Sequence, residues 1–409
     1  MVLIRYLFLV WIIFCSRSIF SQDINYVKKI ALELSAKKYE GRGYCCGNIK
    51  NTGIEKSRKF IESEIKKIGA FNLQEYAIEL NKNSTIDFTK LKFKEGQSVQ
   101  YINFDVNQIF MADMEINGKT QKLGIDFIPD PSCASVNGIF ELIKSDSIRF
   151  VDMQNKVMLV LEDKIMFSVS HYADSEWKVI VVKKCTSLKQ AEKIKVKLSI
   201  KSKVENVQSA NVYAFIPGTQ YPDSFIVLTA HYDHLGKINN IYFPGANDNA
   251  SGVATLLNFM RYFSKLPQKY SVAFMFFTGE EAGLEGSKYY VLHPIFDLHR
   301  IKFLINFDLM GGGSDGIMVV NGKVFEKEFN KLIELNTANN FALTIKARGK
   351  SANSDHYYFS EKGVPSFFIY TMGDIKQYHN IFDIADDLKF TNYEKIFQLV
   401  AKFIVDLNQ

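Results

Sequence analysis

Cysteine is scarce in this sequence, and its positions argue against a metal–thiolate site. The chain has five cysteines among 409 residues, and Cys15 lies in an apolar N-terminal run. Cys45 and Cys46 are adjacent, a spacing that rarely allows the two to bond each other. They have no spaced partner pair and no neighbouring histidine, so we expect no zinc–thiolate centre. One disulfide could join this pair to Cys133 or Cys185, and the sequence leaves both pairings open.

Strong net charge and mixed basic–aromatic clusters are also lacking. The formal net charge is +6, and the hydrophobic (47%) and charged (23%) fractions are those of a globular protein and not of a disordered one. The Lys-rich stretch 183–203 contains no interleaved arginine or aromatic residue that could stack on bases. We therefore expect no function in nucleic-acid binding.

The apolar run at the N terminus is too short for a membrane span. Arg5 precedes ten mostly apolar residues, Tyr6 to Cys15, and small residues lead to a plausible cleavage site near Ser21. A spanning helix needs about 20 apolar residues. This pattern predicts a signal peptide at residues 1–21, with export to the periplasm or the medium and no stable membrane span after cleavage. Phe14 before Cys15 fits a lipid-acceptor cysteine poorly.

Three patterns follow one another after the leader. Residues 22–78 show helical periodicity, including a capping box at Thr52–Glu55 and a helix that ends at Gly69. Residues 79–205 contain short alternating runs typical of strands. Residues 206–409 alternate buried strands with helices. We therefore predict an α/β fold, a mixed and largely parallel sheet flanked by helices, with a β-rich inserted domain at 79–205.

In the last region five short apolar runs are typical of buried strands, and three helical patterns lie between or after them. The predicted strands are Phe225–Ala230, Val272–Phe277, Phe303–Phe307, Ile317–Val320 and Ser366–Tyr370. The predicted helices are Gly252–Phe263, Phe325–Asn336 and Tyr393–Leu407. Ligands of such sheets bind beyond the carboxyl ends of the strands.

Side chains that can bind a metal or move a proton follow several of these runs or lie in loops between them. They are His231, Asp248, Glu280, Glu281, Asp308 and His379. Together they offer two imidazoles, three carboxylates that could bind metal and one spare carboxylate. Hydrolysis of an amide by two zinc ions requires such a set, in which the spare carboxylate serves as the general base.

The adjacent carboxylates Glu280 and Glu281 are the most diagnostic pair. They repel each other unless a cation holds one of them, so we expect Glu281 to bind metal. Glu280 would then take a proton from the attacking water and pass it to the leaving amine. Asp248 lies in a turn of small residues and could bridge two metals with its two oxygens. A solvated acidic turn and an ordinary helix N-cap are the structural alternatives for these residues.

His231 and Asp233 form a second informative pair. A ligating histidine usually donates its other ring proton to a carboxylate, and Asp233 is placed for that role. We interpret the nearby His234 as a loop histidine at the surface. A surface histidine, a buried capping Asp and a generic polar histidine would explain His231, Asp308 and His379 if each is taken alone. Taken together and in this order, the segments that carry these residues favour a metal site.

This set resembles peptidase family M28, a group of two-zinc aminopeptidases. The resemblance rests on the His-x-Asp, Ala-Asn-Asp-Asn-x-Ser-Gly, Gly-Glu-Glu-x-Gly-Leu-x-Gly-Ser, Asn-x-Asp and Tyr-His segments, and on Tyr39–Gly43. It covers about residues 25–75 and 207–409. It implies one zinc on His231, Asp248 and Asp308, and a second on Asp248, Glu281 and His379. It also implies Glu280 as the base, Tyr378 as an oxyanion donor and a cis bond after Asp248.

For three further residues, the expected roles rest on the resemblance alone. Asp355 is expected to support a ligand, His356 to be structural, and Arg348 to contact substrate. The insert at 79–205 matches the family's protease-associated domain only loosely.

The resulting hypothesis is an exported zinc exopeptidase that removes N-terminal residues from peptides. Carboxylates near the metals would recognise the free α-ammonium group. Three alternatives remain. A carboxypeptidase or dipeptidase would need a cation such as Arg348 to hold a terminal carboxylate. A glutaminyl cyclase would work with one zinc. A catalytically silent binding domain need not hold metal.

Overall fold

The computed structural model describes residues 23–44, 52–69, 99–116, 119–120, 123–127, 134–144, 148–162, 178–183, 193–238 and 240–409. The signal peptide predicted at 1–21 and all four cysteines after it lie outside these residues. Within them, none of the helices combines the length and the apolar character that a bilayer crossing requires.

Two helices near the N terminus form where the sequence predicts them. They are α1 (Ile24–Leu34) and α2 (Gly53–Ile68). The Thr52 hydroxyl accepts a hydrogen bond from the Glu55 backbone N–H at 3.4 Å, which caps the start of α2. Gly69 ends this helix in the left-handed region, with φ of 73°. The N-cap at Thr52 and the terminal glycine are therefore confirmed, whereas the Glu55 carboxylate, the other half of the capping box, accepts hydrogen bonds from Arg58.

The strands of the first half of the described chain form antiparallel ladders with one parallel pair. They are β1 (Val99–Ile116), β2 (Lys119–Thr120), β3 (Leu123–Phe127), β4 (Ala134–Lys144), β5 (Ile148–Asp152), β6 (Val157–Glu162), β7 (Lys178–Lys183) and β8 (Lys193–Ile216). β6 and β7 are the parallel pair. This region is rich in strands, as its alternating runs predict.

The boundary predicted between residues 205 and 206 lies inside β8. β1 pairs with β8 from Val99↔Val212 to Ile116↔Val196, so both strands extend from the insert into the main sheet. At this boundary the chain passes from the insert into the central sheet within the continuous strand β8.

The second half of the chain supplies the central sheet and its helices. The strands are β9 (Tyr221–His231), β10 (Lys237–Ile238), β11 (Ile241–Tyr242), β12 (Tyr270–Phe277), β13 (Ile301–Phe307), β14 (Ile317–Val320), β15 (Ile345–Ala347) and β16 (Ser366–Thr371). The helices are α3 (Gly252–Phe263), α4 (Glu285–Leu292), α5 (Glu326–Ala338), α6 (His356–Glu361) and α7 (Tyr393–Leu407). All five predicted strands and all three predicted helices of this region are confirmed, with boundaries shifted by a few residues at most.

The central sheet is mixed and largely parallel. Its strand order is β15-β14-β16-β13-β9-β12-β8, with β1 beside β8. The pairs β13/β16, β13/β9, β12/β9 and β14/β15 are parallel. The pairs β14/β16, β12/β8 and β1/β8 are antiparallel. This arrangement confirms the predicted fold class.

Alternate residues of the strands enter two apolar cores on opposite faces of the sheet. Ile226 and Leu228 of β9 pack in the larger core, with α1, α2, α3, α5 and α7. Phe225 and Val227 face the other core, which receives residues of α4 and α6. Burial of both faces explains why these strands read as nearly continuous apolar runs.

Candidate metal centre

Three neighbouring parallel strands bring polar side chains to one edge of the sheet. His231 is the last residue of β9, Glu280 and Glu281 follow β12, and Asp308 comes directly after β13. β9 lies between β12 and β13 and runs parallel to both. Their carboxyl ends therefore meet at the same edge, where α/β sheets bind their ligands.

Asp248 reaches this edge from a tight turn before α3. Gly245 opens the turn with φ of 58°, and a Cβ there would lie 2.2 Å from the Asp248 carbonyl oxygen. The turn therefore requires glycine at this position. The Asp248–Asn249 peptide bond is cis, as the resemblance predicted. The Asp383 carboxylate accepts the backbone N–H groups of Asn247 (2.8 Å) and Asp248 (3.0 Å) and fixes the turn from the other side.

The first cluster consists of His231, Asp248 and Asp308. His231 Nε2 lies 3.4 Å from Asp248 Oδ1 and 3.4 Å from Asp308 Oδ2. The Ser354 hydroxyl donates to Asp308 Oδ2 at 3.2 Å. Asp308 Oδ1 is buried and has no hydrogen-bond partner among the described residues. All three residues of the cluster are buried.

The second cluster shares Asp248 with the first. His379 Nε2 lies 3.1 Å from Asp248 Oδ2 and 3.2 Å from Glu281 Oε2. One oxygen of Asp248 thus faces His231 and the other faces His379. A carboxylate in this position can bridge two cations.

His234 is not a surface histidine, so that interpretation was wrong. It is fully buried, because its loop folds back under the sheet edge, and its Nδ1 lies 2.7 Å from Glu281 Oε1. Two atoms that bind one zinc ion tetrahedrally lie about 3.4 Å apart, given bonds of about 2.1 Å. The 2.7 Å separation is that of a charge-assisted hydrogen bond. His234, Asp248 and Glu281 lie close enough together to hold one ion, but the 2.7 Å contact favours His234 as the residue that holds Glu281, and the ligand role of His379 stays a prediction. The sequence signal available for this role of His234 was its position in the loop that follows His231.

Asp233 was predicted to accept a proton from His231, and its hydrogen bonds go to other groups. Its Oδ1 lies 3.6 Å from His231 Nδ1, which is longer than a hydrogen bond. Its carboxylate accepts the backbone N–H groups of Glu280 (3.3 Å) and Glu281 (3.2 Å) and the Tyr44 hydroxyl (2.9 Å). Asp233 therefore fixes the turn that carries the two glutamates.

Glu280 and Tyr378 flank the two clusters. Glu280 Oε2 lies 4.0 Å from His231 Nε2, farther than the 3.4 Å that separates His231 from Asp248 and Asp308. The Tyr378 ring stacks on His379, with ring centroids 3.9 Å apart, and it is 38% exposed. Tyr378 thus lies at the solvent side of the second cluster.

Asp355 and His356 are buried at the start of α6. Burial raises the pKa of Asp355 to about 7, against the opposing effect of the nearby His231. Burial lowers the pKa of His356 to about 4, so it is neutral at pH 7. These pKa shifts do not test the roles expected of Asp355 and His356, which stay predictions.

Arg348 is not brought to the clusters. It follows β15, an edge strand three positions from β13, and its guanidinium donates to the Tyr370 hydroxyl at 3.2 Å. Three strand spacings amount to about 14 Å. β15 also runs opposite to β13, because it is parallel to β14 and β14 is antiparallel to β16. Its carboxyl end therefore points away from the clusters.

The charges of the site show an excess of buried carboxylate. Burial alone would lower the pKa of His231, but Glu280 and Asp308 outweigh it and raise that pKa well above its usual value. Burial also lowers the pKa of His379, but Glu281 and Asp248 outweigh this effect and raise that pKa to about 11. Burial raises the pKa of Glu280 well above the normal value. The pKa values of these groups are therefore shifted toward the protonated forms, because several carboxylates lie close together away from water.

The donor set fits divalent cations. Each cluster offers imidazole nitrogen and carboxylate oxygen, the ligands that zinc takes in catalytic sites. The 3.4 Å separations around His231 equal those of tetrahedral zinc ligands, about 3.4 Å. The unpartnered Asp308 Oδ1 and the raised histidine pKa values both indicate that positive charge belongs here.

Comparison with known proteins identifies the family of the segment that holds both clusters. Residues 211–404, which include both clusters, match the profile of peptidase family M28. This segment belongs to peptidase family M28. The resemblance seen in the sequence motifs is thereby confirmed.

Individual M28 relatives match over part of their length. A probable leucine aminopeptidase 2 of Aspergillus oryzae is 33% identical over 140 residues, which are 34% of this chain and 27% of that protein. Aminopeptidase YwaD of Bacillus subtilis is 29% identical over 150 residues, 36% of this chain and 32% of the relative. The matches thus span less than a third of these relatives.

Solved structures match over nearly the whole chain. An aminopeptidase from Aneurinibacillus sp. strain AM-1 superposes with a TM-score of 0.64 at 16% identity, over 95% of this chain and 94% of that chain. BSAP, a zinc aminopeptidase from Bacillus subtilis, has the same TM-score and identity over 93% and 94%. At this identity the likeness establishes the fold alone.

Proposed function

We propose that this protein is an exported zinc aminopeptidase that hydrolyses the N-terminal peptide bond of peptides. The observation that carries the proposal is the pair of buried clusters that share Asp248, one oxygen on each side. M28 membership and the names of the relatives agree with it, since a leucine aminopeptidase and a zinc aminopeptidase are among them.

The residues present could hold two zinc ions. His231, Asp248 and Asp308 would bind the first, and Asp248, Glu281 and His379 the second. When bound, zinc supplies a Lewis acid that polarises a carbonyl group and lowers the pKa of water. His234 would hold Glu281 in its ligating orientation through the 2.7 Å hydrogen bond.

Glu280 would act as the general base and then as the general acid. Its carboxylate is partly buried beside the first cluster without lying at the ligand spacing. Burial and the neighbouring carboxylates raise its pKa, which favours proton uptake from the attacking water and makes the protonated acid available to the leaving amine. Cations on the neighbouring ligands would oppose this rise, so the carboxylate form would be available at neutral pH.

Tyr378 would donate a hydrogen bond to the oxygen on which negative charge develops. Partial burial and the surrounding carboxylates, Asp248 first among them, raise its pKa above the usual value. The phenol therefore keeps its proton at neutral pH and remains a donor. Stacking on His379 fixes its ring at the mouth of the site.

Peptide products would test this proposal. The purified mature chain is incubated with a mixed peptide pool, once with zinc and once after chelation, and the products are identified by mass spectrometry. Peptides shortened from the N terminus, lost on chelation and restored by zinc, would support an aminopeptidase. Loss from the C terminus would show a carboxypeptidase, cyclised N-terminal glutamine a cyclase, and unchanged peptides a silent binding domain.

A further inference from the structure

Arg42 is a buried arginine whose hydrogen-bond partners among the described residues are all neutral. It is 0% exposed, and its five N–H donors reach five backbone carbonyl oxygens at 2.7 to 3.0 Å. These belong to Leu34, Tyr232, Pro244, Gly245 and Asp248. The full donor capacity of a guanidinium is thus used.

The five carbonyls connect the N-terminal segment with two of the segments that carry proposed metal ligands, those of His231 and Asp248. Leu34 ends α1, Tyr232 directly follows His231, and the other three belong to the turn 244–248. Arg42 therefore contacts the backbone of Asp248 itself and the backbone one residue beyond His231. These two side chains form the first cluster together with Asp308.

The backbone around Arg42 docks on the same loops. The N–H of His234 donates to the carbonyl of Arg42 at 3.3 Å, and that of Gly236 donates to Gly41 at 3.0 Å. A Cβ on Gly41 would lie 2.1 Å from the Gly236 carbonyl oxygen, and one on Gly43 would lie 2.3 Å from the Gly236 Cα. The close approach therefore requires both flanking glycines.

Arg42 keeps an unfavourable backbone conformation for this contact. Its φ is 50°, in the left-handed region that a non-glycine residue seldom adopts. Strain of this kind persists where the surrounding structure enforces it, and it concentrates near functional sites.

Charge alone does not explain the arginine. A buried positive charge beneath the clusters opposes the binding of further cations, so an electrostatic role would weaken metal affinity. Because the guanidinium binds carbonyls, it leaves the carboxylates of Asp248 and Glu281 available for metal. The geometry thus favours a mechanical role over a role as counter-ion.

We propose that Arg42 is a positioning residue that sets the segments of His231 and Asp248 in their metal-binding arrangement before any metal binds. The proposal rests on the function proposed above, since it concerns the same metal centre.

The test compares Arg42→Lys and Arg42→Gln with matched variants of Arg58. Arg58 is also buried, but it pairs with Glu55 and Glu62 within α2. Zinc affinity is measured by competition with a chelator, and the folded fraction by circular dichroism. We expect both Arg42 variants to lose at least about tenfold in zinc affinity, the effect of removing a group that supports metal ligands. The Arg58 variants should keep wild-type affinity.

The direction in which Arg42→Gln changes the zinc affinity distinguishes a mechanical role from an electrostatic one. Tighter zinc binding by Arg42→Gln, or wild-type affinity in both folded Arg42 variants, would overturn the proposal. If neither variant folds, hydrogen exchange of the metal-free wild type decides. Protected amides at residues 246–250 support pre-positioning, and exchange at unfolded rates contradicts it. Failure of the wild type to bind zinc would refute the proposed function instead, and would be seen in the same titration.

Discussion

Replacement of Glu280 by glutamine is the sharpest test of the proposed mechanism. The change keeps the size of the side chain and removes its ability to accept a proton. Glu280 Oε2 lies 4.0 Å from His231 Nε2, whereas the ligand atoms of Asp248 and Asp308 lie at 3.4 Å. We therefore expect Glu280→Gln to keep its zinc while losing its turnover.

The expected magnitude follows from the role. A positioned general base contributes about 10²- to 10⁴-fold to rate, so kcat should fall by at least about 10²-fold, or about 2.7 kcal/mol in activation free energy. Since Glu280 is not assigned to substrate binding, KM should change far less than kcat.

The assay follows release of p-nitroaniline from leucine p-nitroanilide by wild type and variant, each with its zinc content measured by mass spectrometry. Glu281→Gln is the matched control, because Glu281 is adjacent in sequence but lies 3.2 Å from the ligand atom of His379. This control should lose zinc. Wild-type turnover in Glu280→Gln would remove Glu280 from the role of base. Zinc loss equal to that of the control would make it a ligand instead.

Three further substitutions test the surroundings of the centre and the fold. His234→Ala removes the 2.7 Å bond to Glu281 and should weaken zinc binding about 10- to 100-fold in a chelator titration. Asp383→Asn places an amide N–H against a backbone N–H in the turn of Asp248; it should lower zinc affinity and reduce the free energy of unfolding by about 1–3 kcal/mol in urea. Thr52→Ala removes the cap of α2 and should cost about 1 kcal/mol in the same unfolding experiment without changing zinc affinity.

Each of these has a contradicting outcome. His293→Ala, at an exposed histidine after α4, is the control for His234, and equal zinc affinities of the two variants would refute the assigned contact. Unchanged zinc affinity in Asp383→Asn would show that the turn holds without this carboxylate. Weaker zinc binding in Thr52→Ala would mean that α2 and the centre are coupled.

Local patterns in the sequence predicted most of the second half of the fold. The strands before His231 and Asp308 are buried on both faces, so they read as continuous apolar runs with polar side chains at their ends. Capping of α2 could be predicted because the Thr52 side chain and the Glu55 backbone interact within one turn. Such features depend on residues close together along the chain.

Contacts between distant segments could not be predicted in this way. The bond of His234 to Glu281 joins residues 47 apart, and Arg42 reaches carbonyls about 190 to 206 residues away. A loop histidine and a lone arginine carry no periodic signal, so their burial depends on how the loops pack. The packing also separates residues that the motifs associate. The resemblance placed Arg348 near the substrate, but its strand lies at the far edge of the sheet.

The sequence by itself determined the elements, the ordered set of metal-binding side chains and the family they indicate, because apolar periodicity and residue chemistry are local. The tertiary structure decided that His379 lies beside Asp248 and Glu281 and that the buried His234 contacts Glu281. It also decided that Arg42 lies beneath the site and that β8 joins the insert to the central sheet. These outcomes depend on distances between atoms far apart in the chain, which only packing around a common core fixes.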